Sequence, residues 1–111
     1  MVRVQRRHLP AATAAVSALG TMIAAGRRER GWTAVELAER LGVSVQTLRR
    51  VEQGSPAVAV GLVFEAALLC GVELFSSPAD ELDRVARDAR LRLALLPARV
   101  RATPTAVDDD F

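Results

Sequence analysis

The chain has 111 residues, half of them hydrophobic, with one Trp, three Phe and no Tyr, which suits one domain with a Leu, Val and Ala core and short tails. All its basic side chains are Arg: residues 1–60 carry nine Arg and four Glu, a balance of +5, and residues 61–111 carry six Arg and nine acidic side chains, a balance of −3. A single Cys (Cys70) excludes an intrachain disulfide, and Cys70 with the lone, distant His8 makes no zinc site.

Residues 1–15 read as a basic, Ala-rich N-terminal arm. Arg6-Arg7-His8 ahead of the uncharged stretch from Leu9 to Gly26 has the charge order of a secretory leader. That stretch is mostly Ala, Thr, Ser and Gly, however, too weakly apolar for a leader or a membrane span. A first helix is predicted from Ser17 to Arg30, with Leu19, Met22 and Ile23 as its apolar stripe and Gly31 as its stop.

Thr33-Ala34-Val35-Glu36 fits a capping box, with Thr33 as N-cap and Glu36 three residues on. Trp32 before it and Leu37 after it have the spacing of a hydrophobic staple, which favours a packing role for the Trp over a ligand platform. Val35, Leu37, Ala38 and Leu41 supply apolar surface, and Gly42 suits a left-handed helix end. A third helix follows at once, capped by Ser44, with Leu48 and Val51 inward and Gln46, Thr47, Arg49 and Arg50 outward. Gly54 ends it, and Ser55-Pro56 turns the chain.

A fourth helix is expected from Ala59 to Cys70, apolar on most sides, with Cys70 as a small buried hydrophobe. A fifth begins at Ser77-Pro78, an N-cap followed by Pro at the first helical position. Leu82, Val85, Ala86, Ala89, Leu93 and Leu96 share one stripe, and Asp80/Arg84, Asp83/Arg87 and Asp88/Arg92 are spaced i,i+4. The pattern therefore predicts an arm (1–15), a domain (16–97) and a flexible acidic tail (98–111) ending Asp108-Asp109-Asp110-Phe111.

Two short helices joined by Leu41-Gly42-Val43-Ser44 form a helix-turn-helix, which neither helix can stabilise alone. The run Arg27-Arg28-Glu29-Arg30-Gly31-Trp32-Thr33-Ala34-Val35-Glu36-Leu37-Ala38-Glu39-Arg40-Leu41-Gly42-Val43-Ser44, continued by Leu48-Arg49-Arg50-Val51-Glu52-Gln53-Gly54, resembles the Cro/C1-type (XRE) family. The resemblance implies an all-α, five-helix, lambda-repressor-like domain with flexible termini, binding palindromic operator DNA as a homodimer. It implies base contacts from Val45, Gln46 and Arg50 and phosphate contacts from Arg27, Arg28, Ser44, Thr47 and Arg49. It also pairs Arg27 with Glu52, a surface pair expected to contribute about 0–1 kcal/mol. Gln46 suits adenine and Arg50 guanine through paired hydrogen bonds, whereas Val45 reads little beyond a thymine methyl. Two positions depart from the family: Ala34 replaces a phosphate-binding Gln, and Ala59 replaces a Ser or Thr cap.

The segments Gly54–Gly61 and Leu95–Arg101, with the acidic end, are similar to HipB-like antitoxins. That narrower likeness implies a HipA-like serine/threonine kinase toxin as partner and repression of the chain's own operon. A stand-alone repressor and a protein-interaction module that has lost DNA binding remain alternatives. The fifth-helix residues Leu82, Val85, Ala89 and Leu93, and Phe111 at the acidic end, are the candidate dimer or partner surface; the apolar stripe suits the protomer's own core equally well. No catalytic constellation, cofactor motif or metal set is expected, so the chain reads as a cytoplasmic protein that is not an enzyme.

Overall fold

A computed structural model describes residues 6–101. The described residues contain five α-helices: α1 Pro10–Glu29, α2 Ala34–Leu41, α3 Val45–Glu52, α4 Val60–Leu69 and α5 Leu82–Ala94. A single 3-10 turn, Ala79–Glu81, precedes α5, and the only β pairing described is an isolated bridge between Leu74 and Ser77. The fold is all-α. The chain divides into two compact units, Met1–Ala79 and Asp80–Phe111.

In the first unit, α1 packs on α3 and α4, and α2 packs on the same two helices. The core comprises Ile23, Leu37, Ala38, Leu48, Val51, Val63, Ala66 and Ala67, closed by Cys70, Val72 and Leu74 after α4. Burying side chains of this size contributes about 1.5–3 kcal/mol for each Leu, Ile or Val.

The structure begins α1 at Pro10, seven residues before Ser17, so residues 10–15 of the expected arm are helical. Pro10 sits in the first turn, where its missing N–H forfeits no helical bond, and the Ala-rich run that follows favours helix without an apolar stripe. The buried face of α1 also differs from expectation. Ile23 is buried, but Met22 is half exposed, and Gly20, Gly26 and Arg27 complete the inner face. A Cβ on Gly20 would lie 2.5 Å from the Val51 carbonyl oxygen, and one on Gly26 2.3 Å from that of Cys70. Backbone proximity, rather than a stripe of large side chains, thus sets how α3 and α4 approach α1.

The expected cap at Ser77 does not form. Phe75 and Ser76 adopt left-handed backbone (φ 54° and 57°), and the Ser77 hydroxyl donates to the Phe75 carbonyl. α5 instead starts at Leu82, after the 3-10 turn, without a side-chain cap. In that second unit Arg84 pairs with Glu81, not Asp80, and none of the three i,i+4 pairs comes within 4 Å. No α5 residue is fully buried: Leu82 and Val85 are half-buried, Ala89 and Leu93 exposed. Ala98–Arg101 are exposed and non-helical, while the rest of the acidic tail, with Phe111, lies outside the described residues.

Candidate nucleic-acid interface

The α2–α3 connection is three residues long, and both helices are capped at their N-termini by side chains. The Thr33 hydroxyl accepts from the Glu36 N–H at 3.1 Å, and the Glu36 carboxylate accepts from the Thr33 N–H at 2.7 Å. The second bond holds the Glu36 carboxyl below its ordinary range, with the Thr33 backbone N–H as the leading cause. At the other end of α2, Gly42 takes φ +72°, and the Val43 N–H donates to the Ala38 carbonyl. The Ser44 hydroxyl then caps α3 by accepting from the Thr47 N–H at 3.1 Å, while donating to the Thr47 hydroxyl at 3.0 Å.

These caps fix which side of α3 faces outward. Leu48 and Val51 are buried; Gln46, Arg49 and Arg50 are exposed, and Val45 and Thr47 are half-buried. Gln46 and Arg50, four residues apart, stand one turn above the other on the same face. No described carboxylate lies within ion-pairing distance of Arg49 or Arg50, and both side chains are exposed. Arg28 is exposed near the end of α1.

Arg27 is placed differently from the other cations. It is buried, with Nε donating to Glu52 at 2.7 Å, Nη2 to the second Glu52 oxygen at 3.1 Å, and Nη1 to the Trp32 carbonyl at 3.0 Å. The hydrogen bond to Glu52 raises its already high pKa further. The pair is not the surface contact expected: its side chains are only 11% and 14% exposed. Of the two roles foreseen for Arg27, burial favours bracing the end of α3 over touching phosphate.

Other supports carry weaker sequence signals. Gly54, at φ +76°, brings the turn after α3 so close to α1 that a Cβ there would lie 2.6 Å from the Ser17 Cα. Arg30 Nη1 donates to the Cys70 carbonyl at 2.8 Å, tying α1 to the end of α4. Arg40 lies over the Trp32 ring, 4.2 Å from its centroid, and Arg30 approaches the same ring at 5.8 Å. A Gly kept inside a helical run, as at Gly20, is the detectable hint of such close approach, since it costs about 1 kcal/mol relative to Ala. Ala34 opens α2 half-buried and offers no polar group, and Ala59 caps α4 without a side-chain bond. Among the described residues no cluster of His, Cys, Asp or Glu could hold a metal, and no helix is long and apolar enough to cross a membrane. Burial raises the Cys70 thiol pKa, as suits a core side chain.

A helix-turn-helix whose second helix carries two exposed Arg on its outer face defines a class of DNA-binding transcription regulators, and the family comparison agrees. Residues 23–75 match the family model described as Helix-turn-helix. That segment spans the end of α1, both helices of the motif and α4, and it carries the Cro/C1-type (XRE) pattern. No match to the chain is found among curated proteins or among solved structures.

Proposed function

We propose that the protein is a sequence-specific transcriptional repressor that binds operator DNA as a homodimer and serves as the autoregulatory antitoxin of a HipA-like kinase toxin. The observation that carries the DNA reading is the outer face of α3, where Gln46 and Arg50 are exposed one turn apart and no described carboxylate pairs with Arg50. Arg50 bidentate to guanine and Gln46 to adenine would each supply about 1–3 kcal/mol of discrimination. Arg28, Ser44, Thr47 and Arg49 then serve the phosphates. The incompletely buried α5 stripe Leu82, Val85, Ala89 and Leu93 supports a two-fold dimer, which would set two recognition helices about 34 Å apart on the duplex. In this reading the protein works in the cytoplasm, uses no cofactor and catalyses nothing.

The toxin partnership rests on the HipB-like run of residues 54–61 and 95–101 and on the acidic end. One observation favours a second reading, a protein-binding module without DNA affinity: α2 opens with Ala34, which has no group to hold a phosphate.

Selection from a random duplex library, followed by footprinting, tests the DNA reading. A two-fold site with half-sites one helical turn apart is expected; failure to enrich any duplex would leave the module reading. Coexpression with the product of the neighbouring reading frame tests the partnership, and separate elution of the two chains would dismiss it.

A further inference from the structure

We propose that Arg6 and Arg7, ahead of α1, form a second DNA contact that holds the phosphate backbone beside the stretch read by α3; this rests on the DNA-binding reading above. Both residues lie outside the matched helix-turn-helix segment of residues 23–75. The first 28 residues contain five Arg and no Asp or Glu, so nothing local neutralises this end of the chain. Arg6 and Arg7 are exposed, and no described carboxylate lies within 4 Å of either.

Their position makes the charge useful. The early turns of α1 lie against the turn that follows α3, where Gly54 meets Ser17. Arg6 lines one hollow together with Pro56, and the adjacent Ser55 lines another together with Arg50. A continuous strip of surface therefore runs from Arg50 on the recognition helix, across Ser55-Pro56, to Arg6. A duplex whose major groove receives α3 presents its phosphate rails on either side of a groove about 12 Å wide. Cations set beyond the end of α3, rather than on it, meet such a rail and not the base edges. Guanidinium suits this task, because its planar fork matches phosphate oxygens.

The test uses the full chain and one duplex enriched by the wild-type protein from a random library. Binding of wild type, the double variant Arg6→Ala/Arg7→Ala and the double variant Arg6→Lys/Arg7→Lys is followed by anisotropy from 50 to 300 mM salt. Two lost phosphate contacts should make the slope of log K against log salt shallower by about 1.8 in the Ala variant. Affinity at 100 mM salt should fall at least about fivefold, and protection at one flank of the footprint should vanish. The Lys variant should keep the slope, because the contact is with charge. Thermal melts of the variants should match wild type, since both side chains are exposed. An unchanged slope and footprint in the Ala variant overturn the proposal without touching the α3 reading, which Arg50→Ala tests on the same duplex. A wild-type chain that enriches no duplex removes both.

Discussion

Arg27 near the end of α1 and Glu52 at the end of α3, 25 residues apart in sequence, are joined by two parallel hydrogen bonds of 2.7 and 3.1 Å. The contact ties the last turn of α3 to the longest helix of the unit. Glu52→Gln would leave a buried guanidinium without its counter-charge. We expect a loss of about 1.5–3 kcal/mol, the range for hydrogen bonds to charged groups. Urea denaturation with a double-mutant cycle through Arg27→Met would measure the coupling; additive effects would mean that the pair is only adjacent.

Arg50→Ala should weaken specific DNA binding by about 1–3 kcal/mol and leave the fold intact, because the side chain is exposed. Relaxed preference at one base pair of each half-site is the accompanying signature. An unchanged footprint with unchanged affinity would take Arg50 off the reading surface.

Gly20 and Gly61 should respond oppositely to Ala. A Cβ on Gly20 meets the Val51 and Glu52 carbonyl oxygens at 2.5 and 2.6 Å, and neither backbone group can yield without moving α3. Gly20→Ala should therefore destabilise by about 1–3 kcal/mol despite the better helix former. Gly61, in the first turn of α4, has open space around it, so Gly61→Ala should stabilise by up to about 1 kcal/mol. A melting temperature that holds or rises in Gly20→Ala would refute the close approach at Gly20.

The Glu36 capping bond should be visible as a pH dependence. Its carboxyl titrates lower in the folded chain than its ordinary value, because the Thr33 N–H donates to the ionised form. The contribution is thus complete above the unfolded pKa of about 4.3 and is lost as pH falls through the lowered folded value. Urea midpoints of wild type and Glu36→Gln should converge as pH drops through that window. Parallel curves from pH 6 to 2 would show that the box is not titrating.

The helix-turn-helix was legible because its signals are local. Thr33, Glu36, Gly42 and Ser44 each act within four residues, and all four occupy the cap positions their chemistry suggests. The start of α1 was less legible: Pro10 announces it, but residues 11–15 lack the apolar spacing that marks a helix buried on one side. The inner face of α1 depends on glycines whose neighbours, Val51 and Cys70, arrive from other helices, so no local pattern reveals them. The Ser77 cap gave way to a left-handed turn at Phe75 and Ser76, conformations that composition does not favour. Which α3 side chains face outward followed from spacing, their contact roles only from the family resemblance, and the burial of Arg27 required the tertiary contact with Trp32 and Glu52.

Trp32 gives the molecule a built-in optical reporter. The chain has one Trp and no Tyr, so near-ultraviolet emission comes from one indole. That ring is half-buried at the junction of α1 and α2, faced by Arg40, with its backbone carbonyl held by Arg27. Excitation at long wavelength therefore interrogates the brace between α1 and α3 without any label. Loss of that brace should register as a red-shifted, solvent-quenched spectrum, and if it occurs before the helical signal disappears, the junction opens ahead of global unfolding.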